Sequence, residues 1–245
     1  MIPYERQQKL LTIIENKEIV KIDQLQELMS GVSISTLRRD LKELEKVRKI
    51  KALSGGAVKI NSIVREVPIS QKSTLNSDKK KKIAQIAAKE IKDGDVIYLD
   101  SGSTCSALFE KIFDKRITIY TTNADILAFH EPISAKIILL GGEYNPRTSS
   151  LKGSLTEENL GNLYFDKSFL GINGLSKESG CTTPTLAEAV KKRIVKEHSN
   201  QLFLLCDSSK FHRTSNVKAF DLEHFSIISD QFDESINDIV AVKVK

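Results

Sequence analysis

The stretch Ser33-Ile34-Ser35-Thr36-Leu37-Arg38-Arg39-Asp40-Leu41-Lys42-Glu43-Leu44-Glu45-Lys46 has two chemically opposite faces. At a helical turn of about 100° per residue, Leu37, Leu41 and Leu44 share one face, with Val47 on its flank. Ser35, Arg38, Arg39, Lys42 and Lys46 share the other. Ser33 is a natural N-cap, so the spacing predicts a helix from here to about Arg48. The leucines ask to be buried against neighbouring helices, which leaves a cationic face outward. Such a rod fits the major groove of B-DNA, where the arginine fork donates two hydrogen bonds to guanine. Ser33, Ser35 and Thr36, at the helix start, are placed to meet phosphate or a base edge. Taken alone, the pattern also describes an ordinary amphipathic helix with solvated Arg and Lys.

The flanking sequence narrows the choice. Residues 4–16 carry the apolar stripe Leu10, Leu11, Ile13 and Ile14 and predict a helix. Val20-Lys21-Ile22 reads as extended. Asp23 reads as an N-cap, with Gln26 completing a capping box for a short helix whose Leu25, Leu28 and Met29 face inward. Gly31 ends that helix. After the basic helix, Ile50, Leu53, Val58 and Ile60 flank Ser54-Gly55-Gly56, a β-hairpin pattern with a Gly-rich turn. Its Lys49, Lys51 and Lys59 suit a DNA backbone. Helix, short helix, basic helix and hairpin within residues 1–60 form a winged helix-turn-helix pattern.

Charge is distributed to match. The chain has 245 residues and a net charge of +5. Residues 1–60 hold 12 Lys+Arg against 8 Asp+Glu, and residues 61–82 hold 6 against 2. The remainder is mildly acidic. A basic N-terminal module on an acidic body is expected of a protein that meets a polyanion with its first third.

Residues 61–78, with Pro68, Ser70, Ser73 and Ser77, read as a linker. Lys79-Lys80-Lys81-Lys82 opens a helix to about Ile91, with the lysines expected in solvent. From residue 79 to 245 strand and helix alternate. Strands are expected at Val96–Leu99, Ile117–Tyr120, Ile137–Leu140, Ser168–Leu170, Leu202–Cys206, Phe225–Ile228 and Ile239–Val244. Helices are expected at Thr104–Phe113 and Leu186–His198. The pattern predicts an α/β domain with an open, largely parallel sheet covered on both faces.

The strand ends carry ligand-type residues. After Val96–Leu99 comes Asp100-Ser101-Gly102-Ser103-Thr104 and then a helix, an arrangement that presents backbone N–H groups and hydroxyls to an anion. Asp100 is expected to accept from a sugar hydroxyl. Thr122-Asn123, Gly141-Gly142 and Asp207-Ser208-Ser209-Lys210 follow later strands. In an open parallel sheet such ends converge on one crevice. Lys210 is the expected phosphate partner. No Walker A lysine is present.

Other classes recede. The start has no apolar signal region, and no apolar run spans a bilayer. Cys105, Cys181 and Cys206 read as reduced buried thiols of a cytoplasmic protein. His130, His198, His212 and His224 lack metal spacing. No metal, cofactor or catalytic residue is expected. A sugar-phosphate isomerase carrying a DNA module is the rival from another class, with Glu188, Asp207 and Lys210 as its acid–base groups. A non-specific nucleic-acid binder would not need so large a ligand-type domain.

The ordered series of motifs resembles the DeoR/GlpR family of bacterial sugar-metabolism regulators. Val32-Ser33, Thr36-Leu37-Arg38-Arg39-Asp40-Leu41 and Leu44 are similar to its recognition helix, and Gly55-Gly56-Ala57 to its wing. Lys82-Ile83-Ala84, Leu99 to Thr104, Thr122-Asn123, Gly141-Gly142, Phe169-Leu170-Gly171, Asp207 to Phe211 and Ser229-Asp230 are similar to its sensor landmarks. The resemblance implies a sensor fold related to ribose-phosphate isomerases. It also implies a phosphorylated sugar or polyol effector, double-stranded operator DNA, and a homodimer or homotetramer. Most members are repressors released by effector. In the wing, Ala52 and Ser54 stand where the family usually has Arg and His, and Gly-Ser-Thr replaces Gly-Thr-Thr in the loop.

Overall fold

The computed structural model describes residues 2–17, 19–46, 49–60 and 68–245. They fall into two compact units, residues 1–63 and 64–245. The expected flank position Val47, the helix end at Arg48 and the first part of the linker, residues 61–67, lie outside the described residues.

The N-terminal unit runs α1 (Pro3–Lys17), β1 (Ile19–Lys21), α2 (Ile22–Leu28), α3 (Ile34–Lys46), β2 (Ile50–Leu53) and β3 (Ala57–Ile60). Its core is made by Leu10, Leu11 and Ile14 of α1, Leu25 of α2, Met29, the Leu37–Leu41–Leu44 stripe of α3, and Val20, Ile50 and Val58 from the strands. Each such side chain contributes roughly 1.5–3 kcal/mol on burial. The strands pair antiparallel in the order β1-β3-β2. The hairpin turn places Gly55 at φ 84° and Gly56 at φ 72°, a left-handed pair that side chains adopt only with strain. Three local expectations give way. Ile22 opens α2 rather than closing the strand, so the reach-back comes from Gln24, whose Oε1 accepts from the Lys21 N–H at 3.2 Å, and not from an Asp23–Gln26 box. Asp23 sits in the first turn, where its charge suits the helix dipole. Leu28 points outward, 43% exposed, because Met29 takes the inward position one residue later.

The second unit runs α4 (Ile69–Thr74), α5 (Ser77–Lys89), β4 (Val96–Leu99), α6 (Ser103–Phe109), β5 (Thr118–Thr121), β6 (Lys136–Leu139), β7 (Glu143–Asn145), β8 (Ser150–Lys152), α7 (Ser154–Gly161), β9 (Phe165–Gly171), β10 (Gly174–Ser176), β11 (Gly180–Thr183), α8 (Leu186–Glu197), β12 (Ser199–Leu205), β13 (Val217–Phe220), β14 (Ser226–Ile228), α9 (Glu234–Asn237) and β15 (Val242–Lys243). Seven strands pair in the order β15-β14-β12-β9-β4-β5-β6, every pairing parallel. The alternation of the strands divides the core in two. Tyr98, Leu170, Leu204 and Ile227 face α7, α8 and α9. Ile97, Leu99, Phe169, Phe203, Leu205 and Ile228 face α5 and α6. Both faces of the sheet are therefore covered, as a parallel sheet requires.

The chain departs from the expected pattern in places. The β7–β8 hairpin, α7 and the antiparallel sheet β10-β11-β13 were not read from the sequence. The expected helix 104–113 starts at Ser103 and gives way to turns after Phe109, and Phe225 precedes its strand. The closing strand is only Val242–Lys243, since α9 and a turn occupy the preceding residues and leave Ile239 exposed. Within 61–78, residues 69–74 are helical and α5 begins at Ser77.

Candidate functional site

On α3, the Ser33 Oγ accepts from the Thr36 N–H at 3.3 Å and so caps the helix. Ser33 Oγ also lies 3.0 Å from Ser35 Oγ and 2.9 Å from Thr36 Oγ1, forming a hydroxyl cluster at the helix start. Arg38, Arg39 and Lys42 are exposed and make no ion pair or hydrogen bond to a described residue. Asp40, between the leucines, is buried and pairs with Arg6 of α1, whose Nη2 donates to its Oδ1 at 3.1 Å. This carboxylate holds α3 against α1 and takes its negative charge away from the basic face, while the exposed Glu43 accepts from Gln7 Nε2 of α1 at 2.7 Å. In the wing, Glu45 Oε1 accepts from the Ala52 N–H at 2.8 Å, tying β2 to α3. Lys51 stands directly opposite Lys59 in the β2–β3 register, and Lys21 lies on the same face through its pairing with Ala57. The outer face of the small sheet is therefore cationic.

In the second unit, strand order reverses between β4 and β9. From β4 the chain moves outward to β5 and β6. From β9 it moves the opposite way to β12, β14 and β15. The carboxyl ends of β4 and β9 flank a topological switch point, the general location of ligands in such sheets. The turn after β4 sits there. Gly102 has φ 114°, a conformation that excludes most side chains, and nothing lies within 4 Å of where its Cβ would be. The hydroxyls of Ser103 and Thr104 make no hydrogen bond to a described residue and are partly exposed.

Asp100 has a different place from the one expected. It is fully buried; Oδ1 accepts from the Ser101 N–H at 2.9 Å and Oδ2 from the Gly171 N–H at 3.3 Å. Oδ2 also accepts from Lys192 Nζ. With its lone pairs so engaged, Asp100 anchors the turn to the end of β9 and is not placed to accept from a sugar. Lys192 also lies 3.5 Å from Glu188, and Lys191 lies 3.1 Å from Glu188. Lys191 Nζ donates to the Leu151 carbonyl at 3.0 Å and to Thr122 Oγ1 at 3.4 Å. Burial favours a neutral Glu188, yet the two ammonium groups hold it down at about 2. Burial likewise opposes charge on Lys192, and Asp100 and Glu188 reverse that and raise it. These two buried lysines were not anticipated. The available signal was Glu188-x-x-Lys191-Lys192, whose spacing of three and four puts all three charges on one side of α8.

The remaining expected residues divide. Thr122 and Asn123 are buried: Thr122 Oγ1 lies 3.0 Å from the Tyr98 hydroxyl, and Asn123 Nδ2 donates to Ser106 Oγ at 3.0 Å. Gly141 and Gly142 are exposed at the end of β6, and Gly142 has a packing role. A Cβ on Gly142 would lie 2.0 Å from Thr156 Oγ1 and 2.6 Å from the Lys152 carbonyl, so this glycine admits α7 and β8. Asp207 Oδ1 accepts from the Ser209 N–H at 3.1 Å and caps the short turn Ser208–Lys210. Lys210 is partly exposed, and its ammonium has no partner among the described residues. The expected solvated lysine run is also partly wrong: Lys80 is buried, and Lys79 and Lys82 bond to Ser208 and Asp230.

Among the described residues no group of three or more His, Cys, Asp or Glu side chains is placed to hold a metal, and no helix is long and apolar enough to cross a membrane.

Residues 6–63 match the model of the DeoR-like helix-turn-helix domain, and residues 75–231 match that of the DeoR C-terminal sensor domain. The chain is 33% identical over 228 residues to the HTH-type transcriptional regulator GlpR of Haloferax volcanii, covering 93% of this chain and 89% of that protein. It is 36% identical over 217 residues to the HTH-type transcriptional regulator FruR of Bacillus subtilis, covering 88% and 86%. It is 33% identical over 215 residues to the lactose phosphotransferase system repressor of Staphylococcus epidermidis, covering 86% and 84%. Among solved structures, ribose 5-phosphate isomerase A of Methanocaldococcus jannaschii is similar at 20% identity, covering 56% of this chain and 55% of that one, with a TM-score of 0.40.

Proposed function

The chain belongs to the DeoR family of HTH-type transcriptional regulators, and from that premise we propose that it represses a sugar-utilisation operon until a phosphorylated sugar or polyol releases it from operator DNA. Its relatives are transcriptional regulators and repressors, not enzymes.

The observation that carries the effector reading is the switch point. There the open turn Gly102–Thr104 offers backbone N–H groups and the hydroxyls of Ser103 and Thr104, and Lys210, at the end of the next strand but one, holds an ammonium with no partner among the described residues. Hydroxyls and one cation suit a phosphate. Glu188 and Asp207, which an isomerase would need as free acid–base groups, are instead spent on lysines and on a turn.

On the DNA side, Arg38 and Arg39 read bases, while Ser33, Ser35, Thr36, Lys42 and Lys51 meet phosphates. A homodimer or homotetramer presents two such helices to half-sites about one helical turn apart, and effector binding favours a spacing that no longer matches.

The test pairs two measurements on the full chain. A thermal-shift screen of hexose, pentose and polyol phosphates identifies binders, since a ligand at about 100 times its Kd adds roughly 2.7 kcal/mol to native stability. The binder is then added to the protein on a duplex selected from a random library. Loss of duplex affinity is expected. A duplex affinity indifferent to every phosphorylated sugar overturns the reading.

A further inference from the structure

The segment of the second unit nearest in sequence to the DNA-reading unit is fastened to the loop that carries Lys210. Lys80 is buried at the start of α5, and its Nζ donates to the carbonyls of Lys72 and, at 2.6 Å, Leu75. One ammonium thus closes the end of α4 onto α5. Between the helices, Asn76 holds a left-handed backbone at φ 55°. Its Nδ2 donates to Asp207 Oδ1 at 3.3 Å and to Ser209 Oγ at 3.2 Å. Lys79 Nζ donates to Ser208 Oγ at 2.7 Å and lies 3.5 Å from Asp230. Asp230 in turn accepts from the Ser208 N–H at 2.7 Å and the Ser208 hydroxyl at 3.0 Å. Residues 207, 208 and 209 are therefore each bonded to the α4–α5 junction. Lys210, next in line, is not.

We propose that Asn76 and Lys79 are positioning residues that transmit the state of the 207–210 loop to the α4–α5 segment. This rests on the reading that a phosphorylated effector binds at that loop. Lys79 is bonded to Ser208, two residues before Lys210, so an anion held at Lys210 draws on its ammonium in competition with Asp230 and Ser208. The loop cannot move toward a ligand without releasing Asn76 or carrying it along. Either event shifts the junction that Lys80 holds closed. Loop and junction are one mechanical piece, and differential contact with the ligand is what biases it.

The test uses the full chain with Asn76→Gly, Lys79→Met and the conservative Lys79→Arg. Glycine removes the amide without straining the left-handed backbone. Glycerol 3-phosphate, glucose 6-phosphate and fructose 1-phosphate serve as probes, with a duplex selected by the wild-type protein. In Asn76→Gly and Lys79→Met the ratio of duplex affinities without and with the probe is expected to shrink by about tenfold, within the usual range of coupling. Basal duplex affinity stays near wild type in both variants, probe affinity stays near wild type in Asn76→Gly, the Lys79→Met ratio is read at saturating probe, and Lys79→Arg retains the response. A wild-type response in both disruptive variants overturns the proposal. If neither these probes nor any other phosphorylated sugar alters wild-type duplex affinity, the effector reading fails instead, and hydrogen exchange judges the coupling by itself. Faster exchange at both 72–80 and 207–210 in either variant upholds it; unchanged exchange at 207–210 overturns it.

Discussion

Lys192 of α8 is ion-paired with Asp100 in the interior, at the point where strand order reverses between β4 and β9. Neither side chain is more than 3% exposed. Removing one member strands the other charge in a low-dielectric site. Lys192→Met is therefore expected to destabilise the second unit by about 3–5 kcal/mol, a cost typical of a broken buried pair. The double change Asp100→Asn with Lys192→Met should recover part of that loss. Urea titration of the three proteins measures it. A double variant less stable than Lys192→Met would show that Asp100 contributes mainly through the Ser101 and Gly171 N–H groups.

Arg38 and Arg39 project from α3 on the face opposite its buried leucines, and no described carboxylate neutralises them. Replacing both with Ala removes no core contact and favours the helix. Circular dichroism and thermal midpoint are expected to stay near wild type while sequence-specific duplex binding is lost. Intact discrimination between selected and random duplexes by the double variant would place the reading helix elsewhere.

These two sites were legible to different degrees, for physical reasons. The α3 pattern is local: period 3.6 separates Leu37, Leu41 and Leu44 from Arg38, Arg39 and Lys42, and a nearby hairpin supplies the wing. The parallel strands were legible because burial on both faces demands continuous apolar runs such as Val96–Leu99 and Leu202–Leu205. The sheet β10-β11-β13 was not, since Gly-Cys-Thr-Thr and its partners are short, small and polar. Asp100, Lys191 and Lys192 were misjudged or missed because a charged residue reads as solvent-facing until a distant partner is known. Glu188 and Asp100 are 88 positions apart in sequence and meet only through Lys192. Gly142 looked like a ligand turn because glycine signals close approach without naming what approaches.

Glu188 sets a pH dependence. Its carboxyl titrates at about 2 in the folded protein against an ordinary 4.5, because Lys191 and Lys192 outweigh the cost of burial. A lowered folded pKa contributes stability that is fully present above the unfolded value and is lost as pH falls through the folded one. The loss therefore runs from about pH 4.5 down to about 2. Glu188→Gln is expected to be less stable than wild type at neutral pH, with the difference narrowing across that window. A constant difference from pH 7 to pH 2.5 would show that the ion pairs with Lys191 and Lys192 are not the source.

The three thiols make a test of the second unit's packing. Cys105, Cys181 and Cys206 are unpaired and buried, and burial pushes all three thiols up, with Asp100 beside Cys105 and Asp207 beside Cys206 adding to the shift. The thiolate is the reactive form, so the native chain is expected to resist a disulfide exchange reagent at neutral pH and to react fully once unfolded in urea. Fast labelling of Cys105 in the native state would mean that the switch-point turn opens readily, since that buried residue follows it directly in the first turn of α6.

The wing tests how the hairpin meets DNA. Ala52 and Ser54 supply no charge, so the cations there are Lys51 and Lys59, opposed across the β2–β3 register, with Lys21 on the adjacent strand. Like charges facing each other across strands repel, and a nearby polyanion relieves that repulsion. If each lysine neutralises a phosphate, Lys51→Ala and Lys59→Ala each lower the slope of log affinity against log salt by about one, equally on selected and random duplexes. Because neither lysine lies on the core face with Ile50 and Val58, the fold should persist. A lysine whose loss leaves the salt slope untouched does not contact the backbone, and a change confined to selected duplexes would instead assign the wing to base readout.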